Sequence, residues 1–334
     1  MKKIFLKRII LMPVVIFGVV TITFMISHVI PGDATALLLG ELADKEQIEH
    51  ARKLYNLDKP LPVQYLLYFK GLVKGNLGQS IMTQRPVIQD LKDYFPASVE
   101  LVFSAIFLAI VFGIPIGVIS ATRRNSLLDH VSRIFAISGV SMPHFWFGIL
   151  LQILIAYTWK LLPVSGRSDF LLRPEYITGL NLIDSLLTFN LPVFFSCVKY
   201  LIMPAFVLSF NSMAVYSRMT RAQMLETMEK DFIRTAKAGG LPRRLVIYKY
   251  ALKNALIPVV THIGMGMSVL FGATVVVETV FDYPGVGLYL SKAVLNLDFS
   301  AIIGSTLLIS ILVIIMNFLV DLVYLFLDPR IRYA

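Results

Sequence analysis

Six apolar stretches constrain this chain more than any other feature. They cover residues 9–30, 98–121, 134–159, 200–216, 255–279 and 301–327. About 20 apolar residues in helix span the ~30 Å hydrocarbon core of a bilayer. Helices satisfy every backbone polar group internally, so the pattern predicts an all-α integral membrane protein with six transmembrane helices. Hydrophobic residues make up 57% of the chain, charged residues 16%, and the mean hydropathy is +0.74. A soluble globular enzyme and a disordered chain are both excluded by that balance. Cys197 is the only cysteine, which removes a disulfide scaffold and a thiol metal site and leaves Cys197 as packing.

The net charge of +10 is placed by membrane topology. Lys2, Lys3, Lys7 and Arg8 precede the first stretch, and Arg123, Arg124 and Arg133 follow the second. Residues 218–253 hold nine basic and three acidic residues, and Arg330 and Arg332 close the chain. With six spans all four basic segments lie on one side, the cytoplasm. Residues 31–97, on the other side, hold eight of each sign. Counting 186–198 as a separate span would invert the nine-charge loop, so that segment is read as an outer loop or partly re-entrant. The first stretch has a basic start, and Ala34-Thr35-Ala36 resembles a cleavage site. Its apolar run is too long for a signal peptide, so it is expected to stay as a helix. The resulting division is 1–30 (first helix), 31–97 (extracytoplasmic segment), 98–327 (membrane core, with a cytoplasmic loop at 218–253) and 328–334 (cytoplasmic tail).

No phosphate loop, metal-spaced His or Cys cluster or nucleophile elbow is present, and the five histidines are scattered. The chain therefore has no catalytic or metal-ligating residues and no cofactor of its own, and is not read as an enzyme. Within 218–253, Asp231 suits a helix start, and Gly239-Gly240 with Pro242 stops it. The short helix between bears the small residues Thr235, Ala236 and Ala238, which allow close approach of another surface. A solvated basic loop is the alternative.

This loop resembles the EAA-type coupling loop of ABC importer permeases. Asp231-Phe232-Ile233-Arg234-Thr235-Ala236-Lys237-Ala238-Gly239-Gly240-Leu241, continued by Ala251-Leu252-Lys253-Asn254-Ala255-Leu256-Ile257-Pro258, is similar to the form in dipeptide, oligopeptide and nickel permeases of the first-permease type. Where the general motif has Glu-Ala-Ala, this chain has Arg234-Thr235-Ala236, so no role of that Glu carries over. Pro31-Gly32-Asp33, Asn76-Leu77-Gly78-Gln79-Ser80, Pro86-Val87, Pro143-His144-Phe145-Trp146, Leu162-Pro163-Val164-Ser165-Gly166, the stretch Glu278 to Gly287, and Asp328-Pro329-Arg330-Ile331-Arg332 extend the likeness in the same order over nearly the whole chain. The resemblance implies a channel-forming subunit in a bacterial or archaeal cytoplasmic (inner) membrane. Its partners would be a homologous second permease, two ABC ATPases that bind ATP and Mg, an extracytoplasmic solute-binding protein and the bilayer, with no nucleic acid. Asp231, Arg234, Thr235, Ala236, Gly239, Gly240, Leu241 and Pro242 would couple to an ATPase. The cargo would be di- or oligopeptides, or alternatively nickel, a metal chelate or an oligosaccharide. A self-contained secondary carrier is the competing class, and nothing in the spans resembles an ion-coupling cluster.

Ionisable residues in apolar spans are functional candidates, since a central charge costs about 2.5–3.5 kcal/mol. Glu100 and Glu278 lie near outer span ends, and Asp321 near the inner end of the last span with an interhelix partner expected. Glu278 and Asp282 are candidates for a gate or outer mouth, with Glu278 alternatively holding the loop after it. Asn211, Ser212 and Met213 either line a pathway or bond between helices. His28 is expected at the outer headgroups. Pro143 should kink the third span with Gly139 adding freedom, and Trp146, Tyr157, Trp159 and Tyr324 are expected to pack or anchor.

Overall fold

Prolines and glycines mark where this chain turns, and long apolar helices fill the intervals. The computed structural model describes the backbone of residues 2–29, 49, 53 and 58–327, and among these the side chains of 13–26, 49, 53 and 58–320. The elements are α1 (Lys2–Val29), α2 (Leu61–Val73), α3 (Val87–Thr122), α4 (Leu127–Ser141), α5 (His144–Leu151, continued by a π-helical segment Gln152–Thr158), α6 (Asn181–Leu187), α7 (Leu191–Met228), α8 (Asp231–Ala238), α9 (Arg243–Val280, with a π-helical turn at Val246–Ala251), α10 (Val286–Leu295) and α11 (Phe299–Leu327). There is no strand among the described residues, only a bridge between Gln79 and Pro86. The motif residues 31–33 and 328–332 and the side chains of His28, Asp321 and Tyr324 lie outside the described residues.

Among the described residues four helices are long and apolar enough to cross a membrane unbroken: Val87–Thr122, Leu191–Met228, Arg243–Val280 and Phe299–Val320. A fifth crossing is available from α4 and α5 together, which meet at 111°. In α1 the apolar stretch Pro13–Ile26 is shorter. The sequence boundaries need correction at several points. The second helix begins at Val87, so the 97/98 division falls inside it. The third stretch is a break rather than a kink: α4 stops at Ser141, and Pro143 caps the start of α5. A proline lacks the N–H that would continue the helix, and it pushes Met142 into extended backbone (φ −82°, ψ 123°). Residues 191–198 are neither outer loop nor re-entrant, since they form the first turns of the 38-residue α7. Asn190 caps that helix by accepting from the Val193 amide, and Pro192 falls in its first turn, where its missing N–H costs nothing.

The core is the crossing of α3 with α7. Gly113 and Gly117 of α3 lie four residues apart and let the backbones touch. A Cβ at Gly113 would stand 2.9 Å from the Met213 carbonyl, and one at Gly117 2.6 Å from Thr220 Cβ. This is the small-xxx-small device of membrane helices, where lipid supplies no hydrophobic drive and close van der Waals contact does the work. Gly139 serves the same end between α4 and α7, with a Cβ there 3.1 Å from the Phe210 carbonyl. Its role is close approach, not the flexibility expected from sequence. α9 packs on α7 and also touches α3, α11 packs on α9, and α1 on α11.

Candidate functional site: a docked helix at one end, a polar cavity in the middle

The basic end is built around α8. Eight residues form too short a helix to hold itself in water, so its stability comes from docking. Ile233 is fully buried and joins Val118 and Ala121 of α3, Met224 of α7, and Val246, Ile247 and Ala251 of α9 in one cluster, with Ala236 and Leu241 packed at its edge. The opposite face is open. Asp231 and Arg234 pair at 3.3 Å with side chains 94% and 73% exposed, and the large Phe232 ring is 41% exposed beside them. Thr235 Oγ1 donates to the Asp231 carbonyl. Gly239 closes the helix, Gly240 turns the chain in the left-handed region (φ +75°), and Pro242 caps α9. A residue with a Cβ is disfavoured at that φ, which accounts for the glycine.

A second feature stiffens this end and was not legible in sequence. Asp129 of α4, fully buried, takes a bidentate pair from Arg221 of α7, Nε at 2.7 Å and Nη2 at 2.9 Å. The Ser120 hydroxyl of α3 and the Asn125 amide complete its shell at 2.6 and 3.0 Å. Three helix ends are thus tied through one carboxylate. Fork geometry makes such a pair directional as well as strong.

The opposite, loop-rich end is held in the same manner. Glu100 accepts from Arg167 (2.7 and 3.0 Å), from the Leu182 amide (2.7 Å) and from the Tyr283 hydroxyl (3.1 Å). Burial works against the Arg167 guanidinium, but the facing Tyr283 and Glu100 side chains outweigh it and raise its pKa above the ordinary value. Asp184 gathers the amides of Ile177, Thr178 and Gly179 and the Thr178 hydroxyl. Burial would raise its pKa, yet these donors win and hold it below the usual carboxylate range.

Glu278 and Asp282 belong to this end. Glu278 is fully buried and accepts from Ser98 Oγ (2.7 Å) and the amides of Gly287 (2.7 Å) and Leu288 (3.1 Å). It pins the turn into α10. Gly285 and Gly287 lie so close to this carboxylate that any Cβ would strike it. Asp282 is 65% exposed and meets Lys292 at 3.3 Å.

Between the two ends lies a cavity of about 130 Å³, lined by His144, Asn211, Ser212, Val215, Tyr216, His262, Gly266, Val269, Leu270 and Ala273. It sits where α4 breaks into α5, against the middles of α7 and α9. Irregular backbone within a membrane protein is tolerated where it is packed by protein or lines a cavity, and this break borders one. Of the sequence candidates, Asn211 and Ser212 line it. Asn211 also donates to the Gly139 carbonyl at 3.3 Å, which is the interhelix bond that was one of its two readings. Met213 does not line it: it is 2% exposed and points at Ala109 on α3, since one residue along a helix turns the side chain by about 100°. His144, Tyr216 and His262 were not singled out by sequence. Cys197 is buried as packing, while Trp146, Tyr157 and Trp159 are 46%, 78% and 60% exposed. Among the described residues no group of three or more His, Cys, Asp or Glu is placed to hold a metal ion.

Two family profiles cover the chain. Residues 113–333 match the binding-protein-dependent transport system inner membrane component, and residues 1–102 match the N-terminal region of such membrane components. The chain is similar to the probable D,D-dipeptide transport system permease protein DdpB of Escherichia coli K12, at 44% identity over 95% of this chain and 94% of the relative. It is 42% identical to the di/tripeptide transport system permease protein DppB of Pseudomonas aeruginosa, over 95% of each. The glutathione transport system permease protein GsiC of Pectobacterium atrosepticum is 34% identical over 98% of each.

Proposed function

The chain belongs to the family of binding-protein-dependent transport system inner membrane components, and from that premise we propose that it is a channel-forming permease subunit of an ATP-driven importer of di- and oligopeptides. Six helices cross a bacterial or archaeal cytoplasmic membrane, with α1 and the paired α4 and α5 completing the set. Both termini and α8 lie in the cytoplasm, where the excess of Lys and Arg favours them. A homologous permease completes the pathway, two ABC ATPases hold ATP and Mg, and an extracytoplasmic binding protein delivers cargo. Relatives named for dipeptides and for glutathione favour a peptide over a nickel chelate or an oligosaccharide.

The observation that carries this reading is α8, a short helix docked on its inner side by Ile233 and open on its outer side at Asp231, Phe232 and Arg234. Such a helix passes a rigid-body push from an ATPase groove into α3, α7 and α9 together, and the Arg221–Asp129 fork extends it to α4. Thr235, Ala236, Gly239, Gly240, Leu241 and Pro242 shape and terminate the lever. The experiment is purification of the tagged chain from its native membrane in gentle detergent, with mass spectrometry of what accompanies it. A second permease and phosphate-loop ATPases are expected. A chain that runs alone, and that moves peptide in liposomes without ATP, would overturn the proposal in favour of a secondary carrier.

A further inference from the structure

The mid-bundle cavity contains more polar capacity than the helices use. The Tyr216 hydroxyl is buried, on a residue only 1% exposed, and makes no well-formed hydrogen bond, its interaction with the Ser212 side chain one turn earlier on α7 being a weak one. His144 Nε2, also buried, has none either. Both residues line the same cavity, with Asn211, Ser212 and His262 beside them. Leaving a buried polar atom unpaired costs about 1–3 kcal/mol, and native proteins rarely leave two together without a use.

The lining also has a definite preference. It contains no Asp, Glu, Lys or Arg. What it offers is neutral groups that can each donate a hydrogen bond as well as accept one: the Tyr216 phenol, the Ser212 hydroxyl, the Asn211 amide and two imidazoles. His144 is the first residue of α5, whose N-terminus has no side-chain cap and therefore presents free amides and the positive end of the helix dipole. A group that accepts hydrogen bonds suits the start of that helix, while the lining holds no carboxylate to pair an ammonium. The volume, about 130 Å³, is close to the ~150 Å³ of a cavity that holds one benzene, so it takes one end of a small peptide rather than a whole one.

We propose that this cavity is a way-station in the membrane that binds an acceptor group of the passing peptide, its C-terminal carboxylate or a peptide carbonyl, through Tyr216, His144 and Asn211. The inference rests on the peptide-importer reading above. Gly266 belongs to the design: a Cβ there would stand 2.9 Å from the Tyr216 oxygen and fill the space where the acceptor sits.

The test uses the full assembly (both permeases, ATPases and binding protein) in proteoliposomes, with radiolabelled dialanine as the probe. Tyr216→Phe removes one donor and keeps the ring, and Gly266→Ala fills the site. Each is expected to lower initial ATP-dependent uptake at low peptide about tenfold, with assembly on size exclusion unchanged. C-terminally amidated dialanine separates the sources. An equal loss for both peptides assigns the carbonyl, and a smaller loss for the amide assigns the carboxylate. A second measurement needs no variant: a dipeptide with a diazirine side chain, irradiated during turnover, should label the segment 211–216 or 262–273. Uptake within twofold of the parent for both variants, with label elsewhere only, overturns the way-station and leaves a merely hydrated void. Absence of ATP-dependent uptake by the parent assembly overturns the importer reading instead.

Discussion

Replacing Ile233 by Ala should disconnect the transporter without dismantling it. Ile233 is the one residue of α8 that is fully buried, and it joins a cluster whose buried members come from the foot of α3, α7 and α9. Truncating a buried Ile to Ala costs about 2–5 kcal/mol. At about 1.4 kcal/mol per tenfold, a loss of ~3 kcal/mol shifts the docked-to-undocked ratio of α8 by roughly a hundredfold. An undocked eight-residue helix does not persist, so the segment frays. The bundle above keeps the Gly113 and Gly117 crossing and the Arg221–Asp129 fork, neither of which involves Ile233. Two readouts follow. Amide exchange over Asp231–Ala238 should accelerate by a large factor while the middle of α7 stays protected. In proteoliposomes, peptide moved per ATP hydrolysed should fall sharply. Unchanged exchange in that segment together with an unchanged transport-to-ATP ratio would refute the docking argument.

Further consequences concern the two ends. Asp129→Ala strands Arg221 and should cost about 3–5 kcal/mol, whereas a cycle with Arg221→Met should recover part of it; thermal unfolding in detergent measures both, and additive losses would count against the fork. Gly287→Ala drives a methyl into the Val275 backbone and the Glu278 carboxylate, and overpacking of about 1–3 kcal/mol should lower the melting temperature by several degrees; no shift would show that the turn into α10 is not as tight as described. Asp184 is held below the ordinary carboxylate range, so its stabilisation of residues 176–187 is complete above about pH 4 and drains as pH falls through its folded value. Amide exchange there, corrected for the intrinsic rate, should rise as the pH falls through that value, and Asp184→Asn should flatten that dependence.

Long apolar periodicity made the membrane class and most helices legible, because a bilayer forces helix wherever a run is long enough. Gly239, Gly240 and Pro242 marked the end of α8 correctly, since their effect is local. What escaped was long-range. Nothing adjacent to Asp129 announces Arg221, 92 residues away, and nothing near Glu100 announces Arg167 and Tyr283. The Gly113-Ile-Pro-Ile-Gly117 spacing was a readable small-xxx-small signal for the α3–α7 crossing. Nor does anything beside Glu278 in sequence announce Ser98, 180 residues away, which shares its carboxylate with the Gly287 and Leu288 amides. Met213 shows that a polar tripeptide on a helix spreads over more than one face.

ATP-dependent uptake of labelled dipeptide into proteoliposomes, with and without this chain among otherwise complete subunits, bears most heavily on the central proposal. Accumulation that needs this chain, ATP and the binding protein together is the expected result. Equal accumulation when the chain is left out, or movement by the chain alone without ATP, would contradict it.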